Sequence, residues 1–196
     1  FCRSEGVEVK HLHTDNYRSY TTPAVKAFVQ DEMKAVYTQS PPYTPRANST
    51  SERQWRTMGN DTRALLQHSK LPRNFAWYAL RHAVTVRNTL PSRKDPTTCP
   101  YKGFTGRIPN VANLRVWGCV VYAKIMDPIT KVANRAFRGV HLGMANGPGY
   151  VCYDPANKKT IVSLHCRFAE DDCPGLTASP GGWLEAVPAF SDEFDA

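Results

Sequence analysis

The chain has 196 residues, with 25 Lys and Arg against 17 Asp and Glu and a formal net charge of +8. This length allows one large domain or two small ones with ordinary cores. No apolar run approaches the roughly 18 residues that a membrane-spanning helix needs, so we expect no membrane segment. The six cysteines are scattered without a C-x-x-C pair, which favours free thiols in a reducing, intracellular compartment over a disulfide framework.

The first predicted element is a strand, because residues 7–13 alternate well enough between apolar and polar side chains. Asp15 then falls at the C-terminal end of this strand, which is the edge where open α/β sheets bind ligands. Taken alone, Asp15-Asn16 is more often just an Asx turn that leaves a strand. His11 and His13 lie on one strand face, but no second ligand pair at zinc spacing follows them. A metal role for these two histidines is therefore the weaker interpretation.

A helix beginning at Pro23 and a second strand over Met33–Gln39 are predicted next. Prolines 41, 42 and 45 then force an extended loop. A long helix follows to about His68, since Ser49-x-x-Glu52 fits a capping box. Its predicted core-facing stripe has helical spacing and consists of Trp55, Met58, Thr62, Leu65 and Leu66.

Glu52 lies in the first turn of that helix, beside the proline-rich loop. The partial positive charge of a helix N-terminus favours the ionised form of this carboxylate. An ionised carboxylate on a rigid element suits a Mg²⁺ site. The alternative is that Glu52 only caps the helix, which is the common role of an isolated Ser-x-x-Glu.

The second half of the chain changes from helical to strand patterns. A second long helix is predicted from about Pro72 to Asn88, followed by a Pro- and Gly-rich connector over residues 91–113 with one helical turn near Tyr101. Four or five short strands between residues 114 and 164, with a hairpin turn over 154–159, indicate a small β-barrel. Residues 169–196 contain seven acids and no Lys or Arg, which predicts a disordered acidic tail.

Positive charge is concentrated between residues 41 and 94, which contain ten Lys or Arg and two acids. Arg53, Arg56 and Arg63 fall on the Glu52 helix, and Arg46 lies in the loop before it. Clustered cations of this kind are usually a solvated face. They also suit a phosphodiester backbone, where each neutralised phosphate adds salt-dependent affinity. We therefore expect nucleic-acid binding by this region.

Several motifs together resemble one family, the DDE integrases, and most closely those of copia-type LTR retrotransposons. The resemblance covers roughly residues 7–170. Its motifs are His13-Thr14-Asp15-Asn16, Pro42-Tyr43-Thr44-Pro45 with Asn48, Glu52 and Arg53, Asn88-Thr89-Leu90-Pro91, Thr98-Cys99-Pro100-Tyr101-Lys102-Gly103-Phe104-Thr105-Gly106, and Leu114-Arg115-Val116-Trp117-Gly118-Cys119.

The resemblance implies an α/β fold that begins with the C-terminal half of an RNase H-like integrase core. It assigns residues 1–90 to this partial core, 91–113 to a connector, 114–168 to an SH3-like β-barrel and 169–196 to the acidic tail. Asp15 and Glu52 would be the second Asp and the Glu of the catalytic triad and would bind Mg²⁺ or Mn²⁺. Asn48 and Arg53 would help to position DNA.

The implied activity is DNA integration, in which water attacks near a cDNA 3′ end and the freed hydroxyl then attacks target DNA. Implied partners are the element's cDNA ends, target DNA and further copies of the integrase, in the nucleus or a cytoplasmic virus-like particle. The first Asp of the triad would precede residue 1. We therefore expect this chain alone to bind DNA without cutting or joining it.

Two positions depart from the family pattern: Tyr17 and Ser49 stand where the family usually has Gly. Loss of Gly removes a backbone position that tolerates positive φ, so loop geometry around both carboxylates can differ from that of the family. Two other classes therefore stay open. One is a non-catalytic DNA-binding remnant of a decayed or host-recruited element, and the other is an RNase H-like nuclease unrelated to transposition.

Overall fold

The computed structural model describes residues 8–15, 17–41, 49–91, 95–125 and 135–176. The fold is mixed α/β, with a two-stranded parallel sheet and a five-stranded antiparallel sheet. The contacts divide the chain into two compact units. The first unit comprises Phe1–Thr57 and Pro91–Pro109, and the second comprises Met58–Leu90 and Asn110–Ala196.

The first unit contains a parallel pair, β1 (His11–Thr14) and β2 (Val36–Gln39), with His11 opposite Val36 and Thr14 opposite Gln39. Helix α1 (Pro23–Ala27) connects them and continues as one π-helical turn over Phe28–Glu32. Pro at the start of α1 and the Thr22 side chain, which accepts from the Val25 amide, fix where the helix begins. This strand–helix–strand order confirms the sequence prediction, although β1 begins only at His11.

Helix α2 (Ser49–Ser69) extends for 21 residues and includes Ser49 itself. The predicted core-facing stripe is correct only in part. Leu65 and Leu66 pack against the core of the second unit, whereas Trp55 is 66% exposed. The periodicity of the stripe is helical, but a helical side chain is buried only where another element covers it, and the described residues leave Trp55 uncovered.

Two further helices follow. A 3₁₀ turn over Arg73–Phe75 leads into α3 (Ala76–Thr89), as predicted. The helical turn expected near Tyr101 is α4 (Pro100–Thr105), which ends at Gly106 with φ 72°. A positive φ at this position is the usual way to end a helix, and glycine adopts it without a Cβ clash. Within the described ranges, no helix is long and apolar enough to cross a membrane.

The five antiparallel strands lie in the order β6-β5-β4-β3-β7. They confirm the predicted run of short strands and add β7, which the sequence pattern did not reveal. Residues 114–119, expected to begin the first of these strands, precede it instead. The strands are β3 (Val120–Lys124), β4 (Ala136–Met144), β5 (Tyr150–Asp154), β6 (Lys159–Ser163) and β7 (Cys166–Ala169).

The predicted hairpin turn joins β5 to β6 and is organised by Asp154, which is 4% exposed. Its Oδ1 accepts from the amides of Ala156 at 2.9 Å and Asn157 at 3.3 Å. Its Oδ2 accepts from Asn157 Nδ2 at 2.7 Å. The buried carboxylate thereby satisfies the turn donors that no strand partner can reach.

The main core of the second unit lies between the helices and the sheet. It joins residues between α2 and α3 and on α3 to Trp117 and to strands β4 and β5: Leu71, Phe75, Ala79, Trp117, Val140, Leu142 and Val151. The Trp117 indole is 1% exposed and donates to the carbonyl of Leu142 at 3.1 Å. Residues before and after the expected 91–113 connector thus share one core, because the α2–α3 hairpin covers one face of the sheet.

The expectation that residues 169–196 pack little is wrong for residues 169–176. Ala169 pairs with Val120 in β7, and the Asp172 carbonyl accepts from the Val120 amide at 2.9 Å. The Asp172 carboxylate also lies 3.1 Å from Arg138 Nη2. Leu176 packs against the main core. Acidic composition alone suggested disorder, but these acids pair with basic residues of the barrel. Residues 177–196 lie outside the described part of the chain.

Candidate metal and nucleic-acid site

Asp15 directly follows β1, at the C-terminal end of a strand in a parallel pair, and is exposed. Its Oδ1 accepts from the backbone amide of Tyr17 at 3.2 Å. This contact is the Asx turn that the sequence offered as the simpler interpretation. Because the residue is exposed and this hydrogen bond engages one carboxylate oxygen, the turn and a ligand role are compatible.

The two histidines of β1 are held by hydrogen bonds to neighbouring hydroxyl groups. His11 Nε2 lies 2.7 Å from Thr38 Oγ1. His13 Nδ1 lies 2.8 Å from the same oxygen, and His13 Nε2 lies 3.0 Å from Ser40 Oγ. These contacts join β1 to β2 and the residue after it. They give both rings a structural role.

Glu52 occupies the first turn of α2 and is exposed. It belongs to the same compact unit as Asp15. Asp15 follows the C-terminal end of a strand, where open α/β sheets bind ligands. Glu52 lies at a helix N-terminus, where the partial positive charge favours acidic side chains. The distance between the two carboxylates stays a prediction.

The predicted basic residues fall into three groups. Arg53 and Arg56 are exposed beside Glu52. Arg63 lies along its own helix, with Nε donating to the Gly59 carbonyl at 3.3 Å and Nη2 to Asn60 Oδ1 at 2.6 Å. Arg46 and Asn48 lie outside the described residues. Arg53 and Arg56 are thus exposed cations within four residues of Glu52 on α2.

Two other arginines of the basic 41–94 block serve the fold. Arg81 donates from Nη2 to the Met144 carbonyl at 3.0 Å and to Asn146 Oδ1 at 2.7 Å. Arg87 forms a two-pronged ion pair with Asp61 that links α3 to α2. Such bidentate pairs fix the relative position of two elements. Sequence counting therefore overstated how much of this block is free to meet a phosphate backbone.

Sequence reasoning missed the exposed aromatic rings beside the candidate carboxylates. Trp55 follows Glu52 by three residues and is 66% exposed. Tyr17 and Tyr20 follow Asp15, are 64% and 51% exposed, and have ring centroids 6.0 Å apart. Trp55 was assigned to the core because its spacing matched the apolar stripe. Spacing cannot distinguish a buried aromatic from an exposed one.

The candidate metal site has suitable donors but an incomplete set. Carboxylate oxygens such as those of Asp15 and Glu52 are the donors that Mg²⁺ prefers. Among the residues described, no group of three or more His, Cys, Asp or Glu is arranged to hold a metal ion. A two-metal site for phosphodiester chemistry needs more carboxylate ligands than these two.

The part of the chain that contains the five-stranded sheet matches a known family. Residues 119–180 match the family described as the retroviral polymerase SH3-like domain. This range covers all five antiparallel strands and the packed residues 169–176. The SH3-like domain expected from the resemblance is thereby confirmed, and it extends past the predicted limit at residue 168.

Three plant relatives match longer stretches of the chain than the family model does. The chain is 27% identical over 172 residues to the retrovirus-related Pol polyprotein from transposon TNT 1-94 of Nicotiana tabacum, covering 87% of this chain and 13% of that protein. It is 32% identical over 137 residues to the polyprotein from transposon RE1 of Arabidopsis thaliana (69% and 9% coverage). It is 31% identical over 150 residues to that from transposon RE2 (72% and 10%).

These matches confirm the resemblance to a copia-type retrotransposon integrase fragment within a Pol polyprotein. The chain spans only about a tenth of the length of these relatives. A chain from a cryo-EM structure of the simian T-cell lymphotropic virus intasome in complex with PP2A regulatory subunit B56 gamma is also similar. It shares 18% identity at a TM-score of 0.44, covering 88% of this chain and 61% of that one.

Proposed function

We propose that this chain is part of a retrotransposon integrase that binds DNA and contributes Asp15 and Glu52 to a Mg²⁺-dependent site for phosphodiester cleavage and strand transfer. The observation that carries the proposal is the position of the two carboxylates: Asp15 ends a parallel strand and Glu52 begins a long helix, in one compact unit. In this proposal residues 1–90 correspond to the C-terminal half of an RNase H-like core.

Each residue at this site would have a distinct role. Asp15 and Glu52 would supply hard oxygen ligands for Mg²⁺ or Mn²⁺. The bound ions would stabilise the attacking and leaving oxygens of the phosphodiester. Arg53 and Arg56, exposed on α2, would neutralise neighbouring phosphates and hold the strand against the helix start. A third carboxylate would have to come from outside the described residues, in the complete integrase.

The proposed partners are the cDNA ends of the element, target DNA and further copies of the integrase. The net charge of +8 favours attraction to a polyanion, and association should therefore depend on salt. The corresponding place of action is intracellular, in the nucleus or in a cytoplasmic virus-like particle.

A salt titration of filter binding to labelled duplex DNA tests the binding part. Each of Arg53→Gln and Arg56→Gln should weaken binding and lower the slope of log K against log salt by about 0.9 if the arginine contacts one phosphate. Arg107→Gln is the matched control, since Arg107 is an exposed cation in the connector, and it should leave the slope unchanged. Binding without salt dependence, or equal effects of all three variants, would contradict the proposal.

Metal binding and cleavage test the catalytic part separately. Mn²⁺ affinity, followed by electron paramagnetic resonance, should fall in Asp15→Asn and in Glu52→Gln and should be unchanged in the exposed control Asp95→Asn. The chain alone should not cleave DNA ends in Mg²⁺ or Mn²⁺, because two carboxylates cannot close a two-metal array. If neither variant changes the Mn²⁺ affinity, the proposed metal site is wrong. If the wild-type chain cleaves DNA and Glu52→Gln abolishes this cleavage, the chain is catalytically sufficient by itself.

The rival function is a DNA-binding remnant without catalytic capacity. The exposed Asx turn at Asp15 and the helix-start position of Glu52 are both compatible with purely structural roles. DNA binding and Mn²⁺ binding together distinguish the two functions. Salt-dependent DNA binding, with a Mn²⁺ affinity that Asp15→Asn and Glu52→Gln leave unchanged, would support the remnant.

A further inference from the structure

The exposed tryptophan on helix α2 is the observation that invites a further inference. Trp55 is three residues after Glu52 in a 21-residue helix, so both side chains lie on the same helix face. Its side chain is 66% exposed, although tryptophan is among the residues that gain most from burial. An exposed indole in this position suggests a ligand that covers it.

The surroundings of Trp55 leave room on the helix face. The next residue along the same face, at i+4, is Gly59, and a Cβ built there would meet nothing within 4 Å. No side chain at that position therefore crowds the indole from the C-terminal side. A flat ligand has access to the ring between Glu52 on one side and the open turn at Gly59 on the other.

The neighbours of Trp55 indicate which kind of ligand this is. The residues around it in sequence, Glu52, Arg53, Gln54 and Arg56, are all polar or charged and all exposed. A protein-docking face has an apolar centre with several aromatic or aliphatic residues. A single aromatic ring set among cations is instead typical of surfaces that bind single-stranded nucleic acid, where bases stack on rings and cations meet phosphates.

We propose that Trp55 is a base-stacking residue, on which an unpaired base at a DNA strand end lies so that its phosphodiester is held near Glu52. This proposal rests on the proposed function and specifies how the same site holds its substrate. Trp55 is a positioning residue: it touches the nucleic acid and acts on the reacting phosphodiester through the base that it holds.

The other candidate carboxylate has a similar neighbourhood, which supports this assignment. The Tyr17 amide donates to Asp15 Oδ1 at 3.2 Å, and the Tyr17 ring is 64% exposed. Each candidate carboxylate is thus followed within three residues by an exposed aromatic ring. Base stacking on an aromatic ring is tolerant of base identity, so this arrangement favours recognition of an unpaired end without sequence specificity.

The chain contains a matched control. Trp77 on α3 is 69% exposed, so its exposure is nearly equal to that of Trp55. It lies in the second compact unit and is followed at i+4 by Arg81, whose guanidinium is engaged with Met144 and Asn146. Replacing Trp77 removes a comparable exposed ring from a different helix and therefore tests for nonspecific effects of losing an aromatic side chain.

The experiment compares the wild type with Trp55→Ala, Trp55→Phe and Trp77→Ala on blunt duplexes and on duplexes with a three-nucleotide single-stranded end. Trp55→Ala should lose about 5- to 150-fold in affinity for the frayed end, the range for one stacked base. It should lose much less for the blunt duplex, and Trp55→Phe should recover most of the loss. The salt slope should not change in Trp55→Ala, because a neutral ring releases no counterion.

Different failures have different meanings. If the wild type binds in a salt-dependent way but Trp55→Ala equals Trp77→Ala on both DNAs, the stacking proposal is wrong and the proposed function stands. If the wild type does not bind DNA, both are wrong. The emission of Trp55 is obtained in the free protein as the difference between the spectra of the wild type and Trp55→Phe. If this difference emission is as blue-shifted as that of a buried indole, protein covers the ring, which also overturns the stacking proposal. Circular dichroism of each variant confirms that the fold is intact.

Discussion

The imidazole rings of His82 and His141 meet edge to face at the boundary between α3 and β4, with centroids 6.2 Å apart and an interplanar angle of 89°. His141 is 0% exposed, and among the described residues neither of its ring nitrogens has a hydrogen-bond partner. Tyr150 and Phe168 surround it with ring centroids at 5.6 and 5.1 Å. A titratable group is thus enclosed by aromatic rings in the SH3-like unit.

This histidine pair predicts a loss of stability in acid. Burial, followed by the charges of His82 and Arg115, lowers the pKa of His141 to about 3, and burial lowers the pKa of His82. Below the unfolded pKa of 6.5 the unfolded chain binds protons that the folded chain does not, so the free energy of unfolding falls as pH falls. His141 alone should remove up to about 2 kcal/mol between pH 7 and pH 5.

Urea titrations across this pH range measure the effect. In His141→Leu the free energy of unfolding should depend less on pH than in the wild type. At neutral pH the variant should lose only the stability that repacking around the leucine costs. His68→Gln, on the exposed side of α2, is the control, and its free energy of unfolding should change with pH as in the wild type. The same pH dependence in His141→Leu as in the wild type would show that other groups cause it.

Gly118 is predicted to be irreplaceable. Its φ is 81°, and a Cβ added there would lie 2.2 Å from the Cβ of Ser69. Gly118→Ala should therefore destabilise the protein by at least about 2 kcal/mol through backbone strain and the clash. The double variant with Ser69→Gly should recover only the part due to the clash.

Gly59→Ala is expected to have the opposite effect on stability, and chemical denaturation of both alanine variants measures the two free energies of unfolding. It lies in the middle of α2 with open space around it. Gly59→Ala should stabilise the protein by about 0.5–1 kcal/mol, because alanine loses less backbone entropy in a helix. Equal effects of the two alanine substitutions would contradict the described packing at Gly118.

Asp154 is predicted to hold the β5–β6 hairpin. Asp154→Ala removes a buried acceptor of three hydrogen bonds and should cost about 1–3 kcal/mol. Asp95 makes a similar but exposed turn, with Oδ1 accepting from the Thr97 amide at 2.9 Å and from the Thr97 hydroxyl at 2.6 Å. Asp95→Ala should lose clearly less stability, since water replaces its contacts. Thermal unfolding of both variants measures the two losses. A larger loss in Asp95→Ala would reverse this ranking.

The packed segment after β7 predicts different results for two truncations. A chain ending at residue 176 keeps the contacts of Asp172 with Val120 and Arg138 and the packing of Leu176. A chain ending at residue 169 loses all of them and should be less stable by about 2 kcal/mol or more. Chemical denaturation of both truncated chains measures the difference, and equal stability would show that residues 170–176 contribute nothing.

The local features of the chain were determined by the sequence itself. The ends of α1 and α4 follow from proline and glycine at positions whose backbone geometry these residues prefer. The turn at Asp154 follows from a side chain that bonds to its own neighbours. The placement of Asp15 after a strand and of Glu52 at a helix start has the same origin. Such features depend on interactions within a few residues, and a sequence pattern contains them completely.

Burial, in contrast, was decided by the tertiary structure. The stripe from Trp55 to Leu66 has one helical periodicity, yet Trp55 is exposed while Leu66 packs against Trp117 and its neighbours. Strand β7 forms because β3 offers it an edge, and the acidic residue Asp172 is ordered because Arg138 faces it. Each outcome depends on a partner distant in the chain, and periodicity or composition cannot specify such a partner.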